Sequence, residues 1–187
     1  MKKYSRPDHS PPPAYTRAQQ HAAQETAFWR TRFPQVPLLG QQLVHLPHAR
    51  FWDGAIDDEQ VGWLTARVQT IDMLDIYEAP ITRTSIQHLM QLTWLKELRV
   101  KGCAELQDDC VADLSHIKGL ELLHLGETGI TLDGLLELSG NHLKTVFISS
   151  ELPVLSIQAR LQQLAQSLPG CEVVVNHVPP HVHLTGA

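Results

Sequence analysis

At 187 residues and 43% hydrophobic, the chain is long enough for one compact domain with a sizeable core. A formal net charge of −5, with no Lys/Arg run, leaves no basic footprint and counts against a nucleic-acid partner. No apolar run reaches the roughly 18 residues of a spanning helix, and Met1-Lys2-Lys3 leads into Pro and Ser rather than a signal-peptide core. No membrane insertion and a cytoplasmic location are therefore expected.

Residues 1–15 are polar and proline-rich (Pro7, Pro11, Pro12, Pro13), which predicts a disordered tail with local polyproline II character. A PxxP ligand within residues 10–13 is the sharper alternative. Thr16 can cap a helix that Ala18, Ala22, Ala23, Ala27 and Trp29 favour and that Pro34 stops, spanning residues 16–32. Phe28, Trp29 and Phe33 crowd its end. They suit either a cap over the first apolar edge of the following array, assigned to residues 16–45, or a partner-docking helix.

One short apolar phrase then recurs. Leu95-Lys96-Glu97-Leu98-Arg99-Val100 returns as Leu120-Glu121-Leu122-Leu123-His124-Leu125, 25 residues later. It also fits Leu46/Ala49/Phe51, Ile71/Leu74/Ile76, Leu143/Val146/Ile148 and, degenerately, Gly170/Val173/Val175. A second column keeps the same step: Val61/Leu64, Ile86/Leu89, Val111/Leu114, Leu135/Leu138 and Leu161/Leu164. A period of 23–27 residues held by two apolar columns means stacked units that bury their edges only against one another.

Leu95-x-x-Leu98-x-Val100-x-x-Cys103-x-x-Leu106 resembles the cysteine-containing variety of the leucine-rich repeat, close to the ribonuclease-inhibitor-like varieties. Ile81-Thr82, Ile130-Thr131 and Ile56-Asp57-Asp58 resemble the opening of that variety's convex segment. The Cys103 position holds Gly54, Ala79, Thr128 and Glu151 elsewhere, so the cysteine forms no ladder, and Pro153 and Gly170 mark an irregular closing edge. The resemblance implies an α/β fold: a short right-handed leucine-rich-repeat solenoid over residues 46–176. About six parallel strands would line its concave face and helices its convex face, with an N-terminal capping helix. Strands are expected near Leu46, Ile71, Leu95, Leu120, Leu143 and Cys171, and the clearest helices over residues 85–92, 108–114, 132–138 and 156–168. Asp108 and Asp109 would sit at the positive end of theirs. Residues 177–187 form a His/Pro-rich C-terminal tail.

Side chains alternate along a strand, so residues between the leucine positions share the outward face. One column reads Arg50, Asp75, Arg99, His124, Phe147, Val174, and the next Trp52, Tyr77, Lys101, Gly126, Ser149, Asn176. An earlier one alternates in sign: Asp72, Lys96, Glu121, Lys144. Arg50–Asp75–Arg99 is expected to form a charge ladder, which could serve only to keep the face soluble and in register. Two adjacent aromatics fit that purpose poorly, and aromatics with Arg are enriched where partners bind. The candidate partner-binding residues are therefore Arg50, Trp52, Asp75, Tyr77, Arg99, Lys101, His124 and Phe147. The rival is that the N-terminal helix covers Trp52.

His177, His181 and His183, with Cys171 nearby, supply zinc or copper ligand types at loose spacing. His45 and His48 repeat the pattern in small, and His88, His116 and His142 are expected on solvated surface. Cys103, Cys110 and Cys171 show no CxxC and are expected to be buried small hydrophobes. No hydrolase, P-loop, zincin or dinucleotide motif is present, although Ser149, His124 and Glu127 can be drawn as a triad. The expected function is a non-catalytic protein–protein interaction module: an adaptor, assembly factor or complex subunit that holds another protein on its sheet face without a cofactor. The alternative is a metal- or ligand-binding protein using the His-rich C terminus.

Overall fold

A computed structural model describes residues 16–36, 43–139 and 142–176. The chain divides into two compact units, Met1–Leu39 and Gly40–Ala187. The tails assigned to residues 1–15 and 177–187 lie outside the described residues, as do residues 37–42.

In the first unit, helix α1 (Arg17–Arg32) starts at Thr16. The Thr16 hydroxyl accepts from Gln19 N at 3.3 Å, and Gln19 Oε1 accepts from Thr16 N at 2.8 Å. This reciprocal box satisfies two donors that the helix itself leaves free. Phe28, Trp29 and Phe33 are buried, with ring centroids 5.1–6.0 Å apart.

The second unit holds one sheet of six strands: β1 (Leu43–Phe51), β2 (Val68–Ile76), β3 (Trp94–Arg99), β4 (Leu122–His124), β5 (Thr145–Ile148) and β6 (Glu172–Val175). They lie in chain order and every neighbouring pair is parallel, as the recurring phrase predicts. The first two strands start three residues earlier than expected. There Leu43 pairs with Val68, and the Thr70 and Thr93 hydroxyls donate to Val44 O and Gln69 O, extending the ladder backwards.

Parallel neighbours need a crossover between them. Here the crossovers carry α2 (Asp58–Arg67), α3 (Arg83–Leu89), a 3-10 turn (Asp108–Cys110) running into α4 (Val111–Leu114), a second 3-10 turn (Gly134–Glu137) and α5 (Val154–Ser167). Each contacts the next in line. Leu74, Leu98, Leu123 and Val146 face one another in register and are wholly buried, and so is the second column from Val61 to Leu164.

Two expected helices are reduced. Over residues 132–138 only a 3-10 turn forms, and Gly134 weakens helix there. The helix over residues 108–114 is split, and its α part is one turn long. Asp108 therefore has no long helix to cap. Its Oδ1 instead accepts from Thr131 N at 2.7 Å and its Oδ2 from Thr131 Oγ1 at 2.8 Å.

Asp58 braces the neighbouring crossover in the same way. It accepts from Thr82 N (2.8 Å), Thr82 Oγ1 (2.7 Å), Ser85 N (3.1 Å) and Ser85 Oγ. Burial raises its pKa, but the hydrogen bonds from Ser85 and Thr82 outweigh that and hold it below the ordinary 3.8. Gly134 occupies the position after Thr131 that Ser85 occupies after Thr82, and a Cβ there would strike the Asp108 carboxylate.

Two predictions follow from this packing. Leu98→Ala or Leu123→Ala should cost roughly 2–5 kcal/mol in a denaturant titration; a loss below about 1 kcal/mol would contradict the register. Asp58→Ala should cost about 1–3 kcal/mol near neutral pH, because it strands the buried Ser85 donors. A carboxylate whose folded pKa is depressed stabilises fully above its unfolded value and loses that contribution as pH falls through the folded one. Thermal melts from pH 7 down past 3.8 should therefore converge for wild type and Asp58→Ala.

Candidate partner-binding face

Arg50, Asp75, Arg99, His124 and Phe147 sit on the outward face of the sheet, and Trp52, Tyr77 and Lys101 follow the ends of β1, β2 and β3. Arg50 pairs in register with Asp75, Asp75 with Arg99, Arg99 with His124, His124 with Phe147, and Phe147 with Val174. Period-two alternation puts Phe51, Ile76, Val100, Leu125 and Ile148 into the core between these outward residues. The column ends on Val174, which shares the outward face by its register with Phe147 but is buried.

The charge ladder forms only in part. Arg50 Nε lies 3.7 Å from Asp75 Oδ2, but Arg99 turns to Glu97, with Nη2 donating to Oε2 at 2.8 Å. Residues two apart on a strand share a face, so Glu97 offers Arg99 a carboxylate nearer than the one across the ladder. Arg99 Nε is buried with no hydrogen-bond partner among the described residues. The earlier column behaves likewise: Lys144 pairs with Glu121 at 2.9 Å, while Asp72 pairs with His45 at 3.3 Å.

Two aromatic pairs mark the face. Trp52 and Tyr77 lie with ring centroids 5.7 Å apart, tilted by 50°, and Trp52 is 54% exposed. Lys101 Nζ sits 5.7 Å from the Tyr77 ring centroid and 3.1 Å from Glu127 Oε1. Further along, His124 and Phe147 stack at 5.1 Å and 15°. His124 Nδ1 accepts from Gly126 N at 3.2 Å, and Ser149 Oγ accepts from Glu127 N at 3.1 Å. His124 Nδ1 and Ser149 Oγ thus each accept a backbone N–H in the turns after the strands.

One row was missed from the sequence, although the same alignment contains it. The residue after each of the first four members of the Trp52 column reads Asp53, Glu78, Gly102, Glu127. All four have left-handed backbone, with φ of 54°, 49°, 75° and 58°. Backbone bonds past the strand ends fix this row, among them Tyr77 N to Phe51 O, Glu78 N to Lys101 O and Gly102 N to Gly126 O. A Cβ on Gly102 would lie 2.8 Å from Glu78 Cγ, so the glycine lets the Glu78 side chain cross it. The Tyr77 phenol is held above its ordinary value of 10.0. Its hydrogen bond to Glu78 is the first cause, then the Glu78 charge, burial, and the charges of Glu127 and Asp53.

The other candidates separate from this face. Cys103 and Cys110 are buried as expected, while Cys171 is only half-buried. Burial pushes all three thiols up, Cys110 to about 12 and Cys171 to about 11. His116 and His142 are exposed, but His88 is half-buried over Gly62, where a Cβ would lie 3.1 Å from its Nε2. No group of three metal-ligating side chains occurs among the described residues, and His177, His181 and His183 lie outside them. No helix among the described residues is long and apolar enough to cross a membrane. The exposed Leu152, Val154 and Leu155, which flank Pro153 where α5 begins, also escaped the apolar columns, because they fall in the irregular crossover there.

No protein-family model matches the chain, and no curated protein matches it at a significant level.

The raised thiols generate a direct test. At pH 8 the native chain should be alkylated at Cys171 about a hundredfold more slowly than the urea-unfolded chain, as read by mass spectrometry, because the thiolate fraction sets the rate. Equal rates would contradict the burial of its sulfur.

Proposed function

We propose that this chain is a leucine-rich-repeat solenoid acting as a non-catalytic interaction module, an adaptor, assembly factor or complex subunit that holds another protein on its concave sheet face. The in-register columns and the resemblance of the Leu95–Leu106 phrase support the repeat assignment. The single observation that carries the binding role is the Trp52–Tyr77 pair, two large rings side by side on the outward face with Trp52 more than half exposed. Interface energy concentrates in aromatic anchors that lose much apolar area to the partner, while charges around them tune encounter and orientation. Arg50, Asp75, Arg99 and Lys101 fill that second role. Each already has a partner or ring contact within the face, so little of its charge is left to drive affinity.

The test compares three forms of the full chain. Trp52→Ala should weaken capture of the co-purifying protein by at least about 2 kcal/mol, and Lys144→Ala by little. Trp52 is exposed, so the melting temperature of Trp52→Ala should stay near that of wild type. Unchanged affinity in Trp52→Ala would remove the face from the interaction.

A further inference from the structure

The aromatic pair and the acidic row beside it bear on the chemistry of the partner, and the inference rests on the binding role just proposed. Tyr77 already carries a cation: Lys101 Nζ lies 5.7 Å from its ring centroid and 3.1 Å from Glu127 Oε1. The elements are one aromatic ring, one cation and one carboxylate from the turn row. On the neighbouring strand Trp52 lies with its ring centroid 5.7 Å from that of Tyr77, and Asp53 follows it on the same left-handed turn position that Glu127 takes after Gly126. Among the described residues no cation lies over Trp52, and neither Asp53 nor Glu78 has a cationic partner. Arg50, the nearest candidate on the same strand, is engaged by Asp75. The chain's formal charge of −5 adds a long-range preference of the same sign.

We infer that the Trp52 end of the face takes a basic peptide segment of a partner protein, an Arg or Lys side chain lying against the Trp52 ring with its charge shared by Asp53 and Glu78. A cation over an indole is attracted by the negative ring face, and the attraction grows as the pair is desolvated. Carboxylates at the rim speed encounter with a basic segment and repel an acidic one. The raised Tyr77 phenol reports the same negative field, with Glu78, Glu127 and Asp53 all contributing. A wholly apolar partner would bring no counter-charge to Asp53 and Glu78, and an acidic one would add like charge to them.

The experiment pans a displayed library of random dodecapeptides against the full chain, then measures the enriched peptides by fluorescence anisotropy against wild type, Trp52→Ala and the double variant Asp53→Asn/Glu78→Gln. The double variant keeps side-chain length and a hydrogen-bonding amide, and thermal melting verifies that it folds as wild type does. The inference expects enrichment of Arg or Lys at one shared position and roughly tenfold weaker binding in both variants. It also expects affinity to fall as salt rises. Peptides that need Trp52 but bind the double variant as tightly as wild type would overturn the cation assignment and leave the binding face standing. Enrichment of acidic peptides would do the same. Binding unaffected by Trp52→Ala, or no enrichment, would overturn both.

Discussion

The sheet depends on one constraint: each strand completes its hydrogen bonding and buries its apolar residues only against the next strand in the chain. Leu74, Leu98, Leu123 and Val146 stand opposite one another with no exposed surface. No strand–crossover segment encloses these side chains by itself, so the stacked apolar columns and the parallel ladder form together or not at all. A slip of one residue in any pair would turn that strand's leucines outward and its charges inward. The cost of such a slip fixes the order of the outward columns as firmly as it fixes the core.

The crossovers vary without disturbing this register because they are tied to one another by specific polar bonds. Asp58 reaches Thr82 and Ser85, Asp108 reaches Thr131, Arg83 binds Asp113 at 2.7 Å, and Arg160 binds Asp133. These residues lie 23–30 apart in sequence, so each bond joins one crossover to its successor. Exposed ion pairs add little stability singly. Asp58 differs because the groups it satisfies include Ser85, which is fully buried and would otherwise be left without an acceptor. The links range from the 3-10 turn at Gly134–Glu137 to the fourteen-residue α5, which lies in the longest stretch between strands.

Much of this was legible in the sequence, because the strand period and the apolar columns are local, repeated signals. The register of Arg50, Asp75, Arg99, His124 and Phe147 follows from counting alone. The partners of individual charges do not. Asp75 and Glu97 compete for Arg99, and side-chain geometry decides between carboxylates that the alternation rule leaves equally available. The crossover over residues 132–138 shows a second limit: its apolar spacing suits a helix, but only a 3-10 turn forms, with Gly134 weakening helix there. The acidic row was hidden differently. Asp53, Glu78 and Glu127 occupy left-handed backbone, where glycine or asparagine is the usual expectation, so their residue types do not announce a turn.

That row shows why conformation and chemistry should be considered together. Carboxylate side chains in left-handed backbone are held by bonds made elsewhere, such as Glu78 N to Lys101 O and Glu127 N to Ser149 Oγ. Glycine takes the corresponding position at Gly102 without strain, so the turn geometry alone does not require acids at the other three. What acids add is charge beside aromatic rings. At Glu127 that charge meets Lys101, a residue of the same face, while at Asp53 and Glu78 no cation of the described chain meets it. The row is therefore balanced at one end and unbalanced at the other, and the unbalanced end is where Trp52 presents its open ring.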